Sequence, residues 1–364
     1  MRILIILTLL IVSLAACDQT KTSQINNEPP YFTDLFDREA NPDVACYRIP
    51  AVIVTPNGDL IAAVDERVPS CADLRGNRDI NIIIKRSTDN GTSWSSEERI
   101  VDYPLGQSAS DASFICDEST GTIFMFFNYM DVDHERNVYY LRYVKSTDNG
   151  LTWSEPVDIT SQITKPGWNY NFKFITSGRG IVTENGKLLH TLVNLQNGLH
   201  IFGSDDQGES WYLLDTPLPD SDESKIIELA NGDWMVNSRV NNFGYRRVHV
   251  SDNEGETWTS RVDSTLIDPG CNASIINVRS EGRDILLFCN AKDQNERRNL
   301  TVRLSYDQGR TWTEGKTVYA GEAAYSSMTV LDNGDIGIFF EKDDYRILTF
   351  ARLSMGWLFA EENQ

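Results

Sequence analysis

Apolar residues in this chain come in short runs, each closed by a glycine turn or a polar loop. RIPAVIVT (48–55), LIAAVDE (60–66), INIIIKR (80–86) and ERIVD (98–102) form the first group. Short runs rich in β-branched and aromatic residues, bounded by Gly, Asn and Asp, predict strands. Six turn signals recur between such runs: PNG (56–58), STG (119–121), ENG (184–186), ANG (230–232), SEG (280–282) and DNG (332–334). Their glycines are about 55 residues apart on average. An octapeptide repeats at the same period: STDNGTSW (87–94), STDNGLTW (146–153), SDDQGESW (204–211), SDNEGETW (251–258) and SYDQGRTW (305–312). The two periods together define a unit of strand, Gly turn, strand, variable loop, strand, octapeptide, strand. The last unit has SSMTVL (326–331), DIGIFF (335–340) and YRILTFARL (345–353) but no octapeptide. Its fourth strand is expected from the segment after Tyr31, closing a ring. The predicted fold is all-β, a six-bladed β-propeller of four-stranded antiparallel blades.

The octapeptide reads as Ser-x-Asp-x-Gly-x-Ser/Thr-Trp, and each position has a physical use. The Asp accepts backbone N–H groups within a tight turn, and Gly supplies a positive φ. The Trp is large enough to anchor the turn to the adjoining sheet.

Composition fits this reading, with 40% hydrophobic and 10% aromatic residues and no long amphipathic helix. A net charge of −20 argues against nucleic acid or an anionic membrane surface as partners. An anionic ligand would therefore need a local arginine cluster. Residues 1–17, MRILIILTLLIVSLAAC, carry one Arg and then an apolar run too short for a convincing membrane span. LAAC resembles a bacterial lipobox, which implies a signal peptide over 1–16 and lipidation of Cys17. Residues 17–30 would be a polar tether and 31–364 the propeller. The expectation is an exported, membrane-anchored lipoprotein facing the periplasm or cell surface, and a monomer. Five cysteines follow Cys17; Cys46–Cys71 and Cys271–Cys289 are conceivable disulfides, with Cys116 an unpaired core thiol. His134, His190, His200 and His249 show no ligand spacing, so no metal or other cofactor is expected.

Strands of one blade alternate in direction. The strand-1 starts and the loops joining strands 2 and 3 must then share a rim. Arg48, Asp73, Glu223, Arg239, Arg297, Tyr325 and Glu341 all fall on that rim.

At these residues the chain resembles the sialidase family. The octapeptide resembles its Asp box, and YRIP (47–50) its Phe/Tyr-Arg-Ile-Pro motif. DERVPSCAD (65–73) resembles the acid/base loop, ESKIIELANGDWMVNSR (223–239) the stretch from catalytic Glu to second arginine, and AYSSM (324–328) the tyrosine motif. RRNLTVRLSYDQGRTW (297–312) resembles the segment with the third arginine. The resemblance implies a retaining exo-α-sialidase acting on sialylated glycans or free sialosides. Arg48, Arg239 and Arg297 would clamp the substrate carboxylate through paired, charge-assisted bonds. Arg298 and Arg303 compete for the third place; Arg297 is preferred because it opens the RxNLT pattern. Tyr325 would be the nucleophile, a phenol avoiding repulsion from the substrate's own carboxylate, with Glu223 as its base. The family spacing of sixteen residues to Arg239 selects Glu223 over Glu228. Asp73 would be the acid/base group and would need a raised pKa. Glu341 would orient Arg48, while Arg67 and Asp111 would contribute to sugar binding. The alternatives are a glycosidase for a related 2-keto sugar acid (Kdn or Kdo) and a non-catalytic glycan-binding propeller.

Overall fold

The computed structural model describes residues 27–280 and 282–360. The leader and Cys17 lie outside them. The described residues form five sheets linked by turns and two short α-helices, Thr160–Ile163 and Met355–Phe359. The first sheet holds Cys46–Val54, Leu60–Arg67, Ile80–Ser87 and Glu98–Val101, within two residues of the expected runs. The second is led by Gln107–Asp117, the third by Lys173–Ile175 with Ile181–Val182, and the fourth by Ser224–Glu228. The fifth has seven strands rather than four. Its strand Lys316–Val330 is continuous: residues up to Glu322 pair with Arg298–Ser305, and residues from Ala323 pair with Ile336–Lys342. The sequence expectation had started that strand at residue 326. The last partner in this sheet is Tyr31–Asp37, antiparallel to Ile347–Leu353, so the segment after Tyr31 supplies the fourth strand beside the last unit, as expected.

Leading strands touch in succession. Cys46–Val54 contacts Gln107–Asp117, and Ser224–Glu228 contacts Ser274–Ser280. Lys316–Val330 contacts Cys46–Val54, which brings the path back to its start. Apolar clusters fill the spaces between neighbouring sheets, since a strand buried on both faces must be apolar on both. Ile61, Ile82, Phe114 and Met125 lie between the first and second sheets; Phe126, Leu192, Phe202 and Trp211 lie between the second and third. A further cluster, with Leu287, Val302, Ile338 and Ala351, draws on strands from both ends of the seven-stranded sheet.

The repeated turns account for this stacking. Asp89 Oδ1 accepts from Ser87 Oγ (2.8 Å) and the Ser93 N–H (2.8 Å), while Oδ2 accepts from Ser93 Oγ (2.6 Å). Those hydrogen bonds, led by Ser93's, hold the Asp89 carboxyl down at about 2. Gly91 adopts φ +80, and a Cβ there would collide with the Phe350 ring of the preceding sheet. Trp94 packs edge-on against the same ring at 5.1 Å. The fourth copy departs from the expected pattern because Asn253 stands where the others carry Asp. Its Oδ1 still accepts from Ser251 Oγ and the Thr257 N–H, and its Nδ2 donates to Thr257 Oγ1 (2.9 Å). An amide therefore completes the same turn without charge.

Cys46 and Cys71 form a disulfide. The expected Cys271–Cys289 bridge is absent; both are buried free thiols, pushed up to about 12 by burial. The two side chains belong to different clusters. Cys271 packs with Ile49 and Tyr325, whereas Cys289 packs with Leu287 and Met328.

Candidate active site

A cleft of about 490 Å³ opens where the leading strands begin. Arg48, Asp73, Asp111, Glu223, Arg239, Arg297 and Tyr325 all line it. Breaks in strand pairing aim several of these side chains. Register shifts occur between Arg48 and Ala51, between Ser110 and Ser113, and between Ala323 and Ser326. At two of them a non-glycine residue takes a left-handed backbone, Ile49 at φ 63 and Asp111 at φ 67. For a β-branched residue this conformation is strained and must be over-determined by its surroundings. Here the Ile49 N–H is held by Glu341 Oε1 at 2.9 Å.

Glu341 is fully buried and accepts from three donors. Arg48 Nε lies at 2.7 Å and the Ile49 N–H at 2.9 Å, both on Oε1; the Tyr325 N–H reaches Oε2 at 3.1 Å. One carboxylate thus ties the arginine on the first strand to the tyrosine on the fifth sheet. Tyr325 donates its hydroxyl to Glu223 Oε2 at 2.6 Å. Arg239 Nη1 donates to that same oxygen and to the Tyr325 hydroxyl (3.0 Å). Burial, and then the neighbouring Glu223 charge, push the Tyr325 phenol well above its ordinary value. The phenol is therefore neutral and serves as the donor in its hydrogen bond to Glu223. Arg297 Nη2 donates to the Gly270 carbonyl (3.2 Å), and its guanidinium lies 5.4 Å from the Tyr325 ring centre. Of the three rivals, Arg297 alone lines the cleft. Arg298 pairs outside it with Asp293, and Arg303 is 1% exposed in the core.

Two expected groups sit differently from the sequence reading. Arg67 is buried beneath the cleft, with Asp65 on one side and Asp73 on the other (2.7 Å). It supports Asp73 rather than facing the opening. Asp73 needs a raised pKa for acid work, yet its carboxyl lies below the ordinary value. Desolvation by the surrounding loop pushes it up, only weakly given that the side chain is 85% exposed, and the Arg67 guanidinium, with Arg48 and Arg297 adding to it, outweighs that. Asp111 goes the other way, pushed up to about 8 by burial first and then by the Asp65 charge. Its Oδ2 accepts from Asn128 Nδ2 at 3.0 Å.

Several residues in and around the cleft escaped sequence reasoning. Tyr345 lies 4.1 Å beneath the Arg48 guanidinium, and its hydroxyl accepts from Arg297 Nη1 (3.1 Å). The sequence reading started a strand at residue 345; the strand begins at Ile347, after the left-handed run Asp343, Asp344, Tyr345. The DD pair before the tyrosine was the available turn signal. Asp222 and Asn241 brace Arg239 from outside: Arg239 Nε donates to Asn241 Oδ1 (2.8 Å), and Asn241 Nδ2 donates to Asp222. Asp65, which holds Arg67, Ser110 and the Asp111 N–H together, looked like an ordinary strand residue.

Several known proteins are similar to this chain as a whole. The sialidase of Micromonospora viridifaciens is 35% identical over 346 residues, covering 86% of this chain and 52% of its own length. The sialidase of Bacteroides fragilis is 29% identical over 333 residues, covering 82% of this chain and 60% of its own. The chain thus spans between half and two thirds of these two relatives. Among solved structures, a Hadza microbial sialidase superposes with a TM-score of 0.80 at 30% identity, covering 87% of this chain and 67% of its own. That likeness assigns the sheets to the β-propeller architecture of sialidases. Residues 58–338 match the family described as BNR repeat-like domain, and the chain belongs to that family.

Proposed function

We infer that this protein is a retaining exo-α-sialidase that removes terminal sialic acids from glycoconjugates. The carrying observation is the buried Tyr325–Glu223 hydrogen bond at 2.6 Å inside a cleft whose lining includes Arg48, Arg239 and Arg297. A binding module has no use for a phenol paired with a base, whereas a nucleophile must have one. Arg48, Arg239 and Arg297 clamp the substrate carboxylate on the carbon under attack. The Tyr325 oxygen forms a bond to that carbon as its proton passes to Glu223, and the leaving oxygen takes a proton from Asp73. In the second half Asp73 removes a proton from water, water attacks the same carbon, and Tyr325 recovers its proton from Glu223. Asp73 starts with its pKa depressed by Arg67, Arg48 and Arg297. A bound carboxylate neutralises part of that field, so substrate binding itself moves Asp73 towards the protonated form. Glu341 positions Arg48 and Tyr325, and Arg67 positions Asp73.

The fold reading goes with this function. The continuous strand Lys316–Val330 is read as two strands joined end to end, which divides the seven-stranded sheet into two four-stranded blades and gives six. The apolar cluster between its halves, equivalent to those between the other sheets, supports that division. The LAAC segment is read as a lipobox placing Cys17 on a membrane outside the cytoplasm.

Turnover of a 4-methylumbelliferyl sialoside followed by NMR tests the mechanism. An α-product formed first, before mutarotation, is expected, as is a Tyr325→Phe variant that binds substrate and loses most turnover. An initial β-product would sink the tyrosine mechanism.

A further inference from the structure

Asp73 stands in the segment 68–79, which joins Leu60–Arg67 to Ile80–Ser87 and contains a single helical turn, Leu74–Gly76. Its side chain is 85% exposed, and among the described residues its carboxylate is held by Arg67 Nη1 alone, at 2.7 Å. A proton donor so exposed needs its backbone fixed from elsewhere, because a displacement of about 1 Å can cost about 100-fold in rate.

Two anchors bracket Asp73 along the chain. After it, Leu74 is buried with Met130, Val132 and Tyr139. Before it, Cys71 is bonded to Cys46, their Cα atoms 5.6 Å apart. Cys46 opens the strand Cys46–Val54 that also carries Arg48, so the bridge fastens the loop of Asp73 to the strand of the arginine clamp. Asn77 Nδ2 donates to the Ser70 and Ala72 carbonyls (2.7 and 3.3 Å), but those bonds lie within the loop and move with it. Arg67 Nη1 donates to the Cys71 carbonyl (3.0 Å) as well as to Asp73, so the Arg67–Asp73 contact depends on where Cys71 is held.

The two ends of the bridge differ in what else secures them. Cys46 is fully buried and paired with Arg67 in the sheet, and Arg48 is kept by Glu341. Cys71 is exposed and lies outside any strand. Opening the bridge therefore frees the loop and leaves the clamp in place. Resting on the sialidase reading, we propose that Cys46 and Cys71 are positioning residues for proton transfer, their bridge holding Asp73 at the leaving oxygen. Substrates then divide by their need for that proton. Sialosides linked to another sugar, a poor leaving group, require the bridge; aryl sialosides, which need little protonation, do not.

The test compares kcat/KM for sialyl-lactose and for a 4-methylumbelliferyl sialoside in wild type and in Cys46→Ser/Cys71→Ser. The value for sialyl-lactose should fall about 10- to 100-fold, part of the roughly 10²- to 10⁴-fold that a placed proton donor supplies. The aryl value, and the inhibition constant of a non-hydrolysable sialic acid analogue, should stay within about threefold of wild type. A bridge that only stabilises the fold would lower both substrates together, in step with the folded fraction, and that result overturns the proposal. Wild-type kcat/KM on both substrates would overturn it equally. Should the double variant fail to fold, wild type treated with dithiothreitol makes the same comparison. The reagent supplies two electrons and two protons, leaving two thiols and its own cyclic disulfide, and activity on sialyl-lactose should return on reoxidation. An Asp73→Ala variant impaired equally on both substrates would remove the Asp73 role and this proposal with it, while hydrolysis stands. A wild-type protein that cleaves neither substrate would remove the sialidase reading itself.

Discussion

Arg48 illustrates how much of the site depends on the shape of a side chain. Its Nε is bound to Glu341 while the guanidinium plane lies over Tyr345, so only the outer edge remains for a ligand. Lysine would keep the charge but lose both the fork and the stacking surface. Arg48→Lys is therefore expected to lower kcat/KM about 10- to 100-fold, the loss of one charge-assisted pair, mainly through KM. Wild-type kcat/KM in that variant would count against the clamp. Asp73 gives a prediction of opposite kind. In the free protein its pKa is depressed by Arg67, Arg48 and Arg297; under the proposed mechanism a substrate carboxylate would offset that field in the complex. kcat/KM reports the free enzyme and kcat the complex. For a substrate with a poor leaving group, the alkaline limb of kcat should lie at higher pH than that of kcat/KM. Coincident limbs would mean that substrate does not shift Asp73.

At the scale of the element, the repeated turns carry a built-in comparison. Asp89, Asp148 and Asp206 are all held down at about 2, each chiefly by a hydroxyl donor at the seventh position of its box. Asn253 makes the same turn uncharged. A carboxyl depressed in the folded state contributes stability that is complete above its unfolded value, near 3.9, and lost as pH falls towards the folded value. Asp89→Asn should thus cost little at pH 7, as the fourth box shows the amide is tolerated. Its Tm should also fall less steeply than wild type between about pH 4 and 2. Parallel Tm curves for the two proteins over that range would refute the assignment.

For the whole molecule, the prediction concerns where the propeller is held. If Cys17 bears the lipid, Cys17→Ala should move the protein from the membrane fraction to the soluble one, since a lipid would be its anchor. Retention of a processed Cys17→Ala protein on membranes would rule out the lipobox.

The strands, the period, the closure through Tyr31 and seven residues of one rim were legible in the sequence. Alternating apolar runs and turn glycines are local signals that every unit repeats. The arginines and Tyr325 were legible because each lies in a motif whose neighbours are fixed by the same local rules. What only the tertiary structure decided involves groups that meet across sheets. Tyr345 reached Arg48 and Arg297 through a left-handed turn that reads as a strand start. Cys271 and Cys289 looked pairable but face different clusters. Asp73 met Arg67, which turned an expected rise in pKa into a fall. The long strand Lys316–Val330 continued through a point where the sequence implied a break. Each of these depends on distances between residues far apart in the chain, and on the fields and burial those distances create; a local pattern fixes neither.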